Sequence, residues 1–371
     1  MKKRNGFYPT KNGYLHKFSV DGKRYSVACK TISEGKAKEA TLRDKIKKGL
    51  NLDNEKMSLT QYYDLFESRR RESGKIAEST IWNDRIRFDT YIKPYLGRKS
   101  LKDIKLSDIE ETRRKWQKKL SSQTCNGTMD VLDKVLRQAV IKDRIIPFNP
   151  CDGVERLERS EKPTKETIHR ALSDEEIEKL FAVLDGSYYK HLFLFLLNTG
   201  LRCSEALALT WGDIDEFNKC IHISKTVSRI SQNQYTISKP KTASGFRDIP
   251  LKNDTRAILK DQRALLIALN GGAIPITSGL IFPNTKGGMN SESNVNSVLK
   301  HVARKAGIEH IGTHAFRDTY ATRGAYNGMH RNTLAYFLGH SDPAITDKYY
   351  ISVPNDEKRE AVELVRFAVT V

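Results

Sequence analysis

HLFLFLLNTGLRCSEALALTW, residues 191–211, is the stretch on which the fold of the second half of this chain turns. His191 to Leu197 is apolar almost throughout and reads as one buried helix. It is far too short to span a bilayer, which takes about 20 apolar residues. Gly200 permits a tight turn at its end. Ser204 or Glu205 suits the first turn of a following helix. Arg202 therefore sits at the seam between two helices, just past a buried segment. It either pairs locally, with Glu205 or a helix C-terminus, or it is aimed at an anion arriving from outside. These residues alone leave both readings open.

The whole chain tilts the choice. It has 371 residues, too many for one ordinary domain, so two or three are expected. Hydrophobic residues make up 38 %, enough for cores, and the formal net charge is +19. Such an excess favours a polyanionic partner, with nucleic acid ahead of a membrane surface. The five cysteines, Cys29, Cys125, Cys151, Cys203 and Cys220, include no CxxC pair. Neither a zinc site nor a disulfide framework is indicated, and a reducing compartment fits best. MKKRNGFYPTKNGY, at the start, lacks the apolar core of a signal peptide. A soluble cytoplasmic protein with no membrane partner is expected.

Working outward, residues 1–56 carry 15 Lys/Arg against 6 Asp/Glu. Tyr14–Cys29 alternates around Asp21-Gly22, a hairpin signal. Ser33 to Gly49 reads as a basic helix, with Ala37, Ala40, Leu42 and Ile46 as its buried side. This is a small sheet with one helix. It reads either as a solvated basic surface or as a DNA-binding module using the sheet, with Lys17, Lys23 and Arg24 the candidates for phosphate contact. Residues 57–155 read as a helical bundle with a basic outer face. Ser58 and Ser79 are candidate caps, and Leu59, Tyr62, Tyr63, Leu65 and Phe66 a core face. Ile146-Pro147-Phe148-Asn149-Pro150 ends the bundle. Residues 156–170 are polar and read as a linker. Residues 171–371 open on a capping box, Ser173 with Glu176. They are mostly helical, with one small antiparallel sheet expected between Cys220 and Leu251. The fold class is α+β multidomain: a small N-terminal β-sheet plus helix, an all-helical bundle, then a mostly helical domain with a small antiparallel sheet.

Four further clusters carry candidate chemistry. His314 and Arg317, at i,i+3 on a helix, could clamp phosphate or carboxylate oxygens, although a lone histidine near a helix start more often caps or packs. In Leu338-Gly339-His340 the glycine can end a helix and leave His340 at a loop mouth. Tyr349 and Tyr350 either pack or react. A phenol is a poor nucleophile at its usual pKa of about 10, unless cations stabilise the phenolate. Lys241 lies in KPKTASGFR (Lys239–Arg247) between strand-like runs, where a lysine is solvated or reaches a neighbouring groove as a proton donor.

Singly these decide nothing; their order does. TGLRCSEALALTW, KPKTASGFRDIPL, THAFRDTYATR and LGHSDPAITDKYYISV, within residues 199–353, together resemble the tyrosine recombinase (phage integrase) family. The organisation of residues 1–155 is similar to that of integrases from conjugative transposons and temperate phages. The resemblance implies an arm-site DNA-binding domain at 1–56, a core-site DNA-binding domain at 57–155 and a catalytic domain at 171–371. It implies that Arg202 and Arg317 grip the non-bridging oxygens of a scissile phosphate. His314 would add a donor or manage the nucleophile's proton, and His340 would hydrogen-bond the same phosphate. Lys241, on a mobile hairpin, would protonate the leaving 5′ oxygen, and Glu205 would brace the site. A tyrosine would attack, leaving a 3′-phosphotyrosyl link, with no metal and no cofactor. Partners would be double-stranded attachment-site DNA, a homo-tetramer on it, and an accessory DNA-bending or directionality protein.

Asp318 and Phe316 depart from the family's common histidine and leucine. The nucleophile is ambiguous: Tyr349 follows Thr346 as TxxY, whereas Tyr350 with Ile351-Ser352-Val353 resembles the family's YxHV ending, and register favours Tyr350. AVELVRFAVTV (361–371) is apolar enough to dock on a neighbouring protomer or to close its own core. Two other functions fit the same scaffold: a non-catalytic DNA-binding regulator, and a relaxing topoisomerase of the type IB kind.

Overall fold

The structure, a computed structural model, describes residues 6–51, 56–158, 170–232, 234–240, 242–269, 271, 279–347 and 349. The chain divides into two compact units, Met1–Thr164 and Lys165–Val371.

The first unit opens with an antiparallel sheet of β1 (Phe7–Thr10), β2 (Gly13–Val20) and β3 (Lys23–Cys29), in that order. Asp21 and Gly22 both have positive φ, 47° and 76°, as a two-residue turn of the right twist requires. α1 (Ile32–Lys47) is capped by Thr31, whose hydroxyl accepts from the Glu34 amide, and it covers one face of the sheet. Ala37 and Ala40, expected to be buried, are exposed. The covered side keeps the expected Leu42 and Ile46 but runs on through Glu39, Gly35 and Ile32. Gly35 explains the rotation, because a Cβ there would lie 2.4 Å from Phe7 Cε1 and 2.9 Å from Cys29 Sγ. The helix approaches the sheet most closely where it has no side chain. Beneath it His16 stacks on Phe7, ring centroids 3.8 Å apart, with Nε2 2.6 Å from Glu39 Oε2. That hydrogen bond, against the opposing effect of burial, holds the Glu39 carboxyl below its ordinary pKa.

The bundle follows within the same unit: α2 (Leu59–Ser73), α3 (Glu78–Arg87), α4 (Lys93–Leu96), α5 (Leu106–Gln117) and α6 (Ser122–Ile141), with a π turn at Phe88–Ile92 between α3 and α4. Ser58 and Gln61 cap α2 reciprocally. The expected cap at Ser79 is not one: α3 begins at Glu78, with Ala77 at its cap position, two residues earlier. Leu59, Tyr62, Tyr63 and Phe66 are buried as their spacing predicts, and Tyr63 stacks on Phe88 at 3.8 Å. The sheet module is tied to the bundle by the Asn51 amide, which donates to Arg144 O at 2.7 Å. The first part of the expected linker lies against α6, its Leu157 amide donating to Asn126 Oδ1 at 3.0 Å; residues 159–169 lie outside the described ones.

The second unit runs α7 (Asp174–Val183), α8 (Lys190–Thr199), α9 (Cys203–Ala206), five short strands, then α10 (Asn253–Leu269), α11 (Glu292–Lys305), α12 (His314–Tyr326) and α13 (Arg331–Leu338). Ser173 and Glu176 make the reciprocal cap of α7 read from the sequence. α8 is the central helix: Phe193, Phe195 and Leu196 are fully buried, and it packs on α10 and α12. Phe193 and Phe316 stack across the α8–α12 contact at 5.4 Å.

The strands β4 (Ile214–Asp215), β5 (Cys220–Ile223), β6 (Thr226–Arg229), β7 (Tyr235–Ser238) and β8 (Arg247–Pro250) make two sheets where one was expected. Their orders are β4-β5-β8 and β6-β7. β8 returns to pair with β5, Ile249 opposite Ile221, because that alternation buries its apolar side in the core. β7 and β8, consecutive along the chain, thus belong to different sheets; Lys241, between them, lies outside the described residues. No described helix is long and apolar enough to cross a membrane.

Candidate active site

α8 stops at Gly200, whose φ is 64°. A Cβ on it would lie 2.5 Å from the Tyr320 ring, so the turn is open only to glycine on both counts. The turn delivers Arg202 to the cap position of α9. Both local pairings considered for this arginine occur: its Nη1 donates to Glu205 Oε1 at 2.9 Å and its Nη2 to Gly339 O at 3.2 Å. Its side chain is nonetheless 36 % exposed. A guanidinium has five N–H donors, so this one keeps capacity for an incoming anion.

Glu205 is 4 % exposed and holds two arginines. Its second partner, Arg247 at the start of β8, forks onto both carboxylate oxygens at 2.9 and 3.2 Å. Burial would push the Glu205 carboxyl up, but the Arg247 hydrogen bonds and the two cationic neighbours outweigh it and hold the pKa below its ordinary value. Arg247 was not singled out by the sequence reading. The signal was present in FRDIPL, whose alternation puts Arg247 on the same buried face as Ile249, and a buried arginine demands an acidic partner.

Arg317, on α12, is 5 % exposed. It reaches two helix ends at once: Nη1 donates to Gly200 O at 3.0 Å and Nη2 to Leu338 O at 2.5 Å. Burial first, and the like charge of Arg202 second, push its pKa down to about 9, so it stays protonated at neutral pH. Arg202 and Arg317 therefore converge on consecutive carbonyls at the end of α13, where unpaired C=O groups and the helix dipole favour cations. Gly339, with φ 64°, closes that helix, and His340 follows, sharing a 2.8 Å hydrogen bond between its Nδ1 and Thr346 Oγ1. His314 is the first residue of α12; it is exposed where Arg317, one turn on, is buried.

Tyr349 is 7 % exposed and packs among Ala321, Ala325, Leu334 and Leu338. Its hydroxyl donates to Asp318, the residue after Arg317. Burial first and that carboxylate second push its pKa well up, the opposite of phenolate activation. Lys241, Tyr350 and residues 351–371 lie outside the described residues.

Of the N-terminal candidates, register separates Lys17 and Arg24 from Lys23. Lys17 and Arg24 belong to the face of the sheet opposite α1, with Tyr8 and Leu15, whereas Lys23 pairs with Val20 on the α1 side. All three are exposed. Among the described residues one group, Asp215, Cys220 and His222, has metal-compatible spacing. Both Asp215 oxygens accept from Asn218, and the His222 hydrogen bond to Asp248 raises the imidazole pKa, which favours a proton there.

Residues 170–356 match the phage integrase family. The chain is 30 % identical over 348 residues to the transposase from transposon Tn916 of Enterococcus faecalis, covering 87 % of this chain and 83 % of that one. It is 25 % identical to the ICEBs1 integrase of Bacillus subtilis (strain 168), over 76 % of each chain. Among solved structures it is similar to the Tn1549 transposon integrase in complex with a circular intermediate DNA. There the TM-score is 0.66 at 25 % identity, over 83 % of this chain and all of that one. It shares the fold of the lambda integrase tetramer bound to a Holliday junction, with a TM-score of 0.61 at 16 % identity over 94 % of this chain.

Proposed function

The chain belongs to the phage integrase, or tyrosine recombinase, family, and from that premise we propose which of its residues cut and rejoin DNA. It is a site-specific recombinase of mobile elements, a DNA strand-transferring enzyme. The reading of its site rests on one observation: Arg202 and Arg317 are fixed side by side on Gly339 O and Leu338 O, immediately before His340. A scissile phosphate takes its place against these guanidiniums, which offset the charge that grows on the non-bridging oxygens as phosphorus becomes five-coordinate. His340 hydrogen-bonds the same phosphate, and His314 adds a donor or takes the tyrosine proton. Glu205 braces Arg202.

Tyr350 attacks phosphorus; the new bond is Oη–P, and the P–O5′ bond breaks. Lys241 gives a proton to the leaving 5′ oxygen. The 3′-phosphotyrosyl bond conserves the energy of the phosphodiester, so a 5′-hydroxyl from the partner strand attacks it in turn and releases the tyrosine. Support for Tyr350 over Tyr349 comes from the Tyr349 hydroxyl, which is buried and engaged with Asp318.

Residues 1–56 bind arm-site DNA through the open sheet face that carries Lys17 and Arg24, with Lys23 beside the turn on the other side, and residues 57–155 bind the core site. The 171–371 domain does the chemistry. The enzyme works in the cytoplasm on attachment-site duplexes as a homo-tetramer, with an accessory bending or directionality protein. The tetramer of lambda integrase on a Holliday junction supports that stoichiometry.

The test is a suicide-substrate trap. A nicked duplex carrying the element's junction sequence is incubated with protein, and the covalent adduct is mapped by peptide mass. The adduct is expected on Tyr350 and is lost in Tyr350→Phe, while Tyr349→Phe retains it. An adduct on Tyr349 reassigns the nucleophile. No adduct from any variant, with binding intact, leaves the regulator; relaxation of plasmids lacking the site leaves the topoisomerase.

A further inference from the structure

We propose that Arg247, which touches no substrate, is the positioning residue that sets the Arg202 guanidinium and the carbonyl ledge beneath the scissile phosphate; this rests on the functional reading above. Its side chain is wholly buried, at 0 % exposure, so it cannot itself reach DNA. What it reaches is the apparatus that holds the groups that do. Through Nη1 and Nη2 it fixes both oxygens of Glu205, and those same oxygens take the Arg202 Nη1 and backbone N–H at 2.9 and 3.0 Å. Through Nε it donates to Phe337 O at 2.8 Å.

The Phe337 bond completes a pattern. Phe337 O accepts from Arg247, Leu338 O from Arg317 and Gly339 O from Arg202. Three successive carbonyls at the end of α13 each hold a different arginine, so the helix end is a ledge that spaces the three cations. Gly339 lacks a side chain for a matching reason: a Cβ there would lie 2.9 Å from Arg247 Nη1. A long, half-exposed arginine such as Arg202 has many rotamers in isolation. Here one end is set by a carboxylate that is itself clamped, and the other by a carbonyl whose helix end is also clamped, and both clamps are Arg247. A buried ion pair contributes little net stability compared with apolar side chains of the same volume, whereas a forked pair fixes geometry.

The test uses full-length protein and the nicked junction duplex, with adduct formation followed across pH and non-covalent affinity measured alongside. Arg247→Met is expected to bind DNA within about twofold of the parent while forming adduct about 100-fold more slowly, the cost of a misplaced group. It should also acquire an acid limb. Glu205 faces Arg202, Arg247 and, from α12, Arg317. Without Arg247 its principal pKa-lowering partner is gone and burial lifts its pKa. Protonation as the pH falls then frees Arg202, so the rate drops toward acid more than the parent's does. Arg247→Lys restores charge without the fork, so the acid limb should shrink while the rate stays low. Glu205→Gln should be slow with no acid limb beyond the parent's, and it serves if Arg247→Met fails to fold. The double variant Arg247→Met/Glu205→Gln should be no slower than the worse single, since both act through Arg202.

A folded Arg247→Met with the parent's rate and pH profile, or rates that multiply in the double variant, overturns the proposal. If Arg247→Met does not fold, Glu205→Gln forming adduct at the parent's rate overturns it. Failure of the underlying reading looks different: the parent itself forms no phosphotyrosyl adduct, or Arg202→Ala cuts normally.

Discussion

Arg317 meets two carbonyls, Gly200 O and Leu338 O, from two separate nitrogens, which a lysine does not have. Its ammonium is a point charge on a flexible stem, while the guanidinium is a planar fork. Arg317→Lys should keep the positive charge, bind junction DNA within a few-fold of the parent and form adduct about 100 to 1000 times more slowly, the loss typical of one fixed transition-state donor. Gel-shift and adduct assays on the same preparation check both halves. At this scale Arg202, Arg317, His314 and His340 are singled out by the sequence because each sits in a short motif and the order of those motifs along the chain is distinctive. Arg247 was not, since its importance comes from Glu205, 42 residues away and met only after folding. Asp318 was legible only as a departure from the family pattern; its meaning appears once Tyr349 donates to it.

At the scale of elements, caps and turns were readable and helix faces less so. The Ser58, Ser173 and Asp21-Gly22 signals are each complete within four residues. The face α1 turns to the sheet depends instead on how closely two elements approach. Gly35, which a propensity argument would call a weak point, is where they touch. An exposed helix gains about 1 kcal/mol from Gly→Ala. Here the sign should reverse, because the new methyl meets Phe7 and Cys29. Gly35→Ala is expected to cost about 1–3 kcal/mol, as overpacking does, seen as a lower melting temperature for the first unit. A higher one would mean that α1 and the sheet do not meet at Gly35. The single sheet expected between Cys220 and Leu251 became two because alternation shows which residues face inward but not which strand is the neighbour, and β8 pairs across an intervening hairpin.

For the whole molecule, the net charge of +19 was the broadest signal and the least specific. It announced a polyanion without saying which residues meet it. Register on the N-terminal sheet narrows this. Neutralising Lys17 and Arg24 together should reduce the slope of log affinity against log salt by about 1 to 2 units, because each phosphate that a side chain no longer neutralises keeps its counterion. Lys23→Ala, on the α1 side, should leave the slope closer to the parent's. Equal slopes in all three proteins would remove the sheet from the DNA interface. The second unit carries a different lesson. Its arginines rest on main-chain carbonyls at the ends of α8 and α13, which the fold itself supplies. On the proposed reading, the seat for the phosphate is thus held by the protein's own carbonyls, without help from DNA. Timing, the thing a recombinase must not get wrong, then has to be imposed on whatever brings the tyrosine and the second duplex to it.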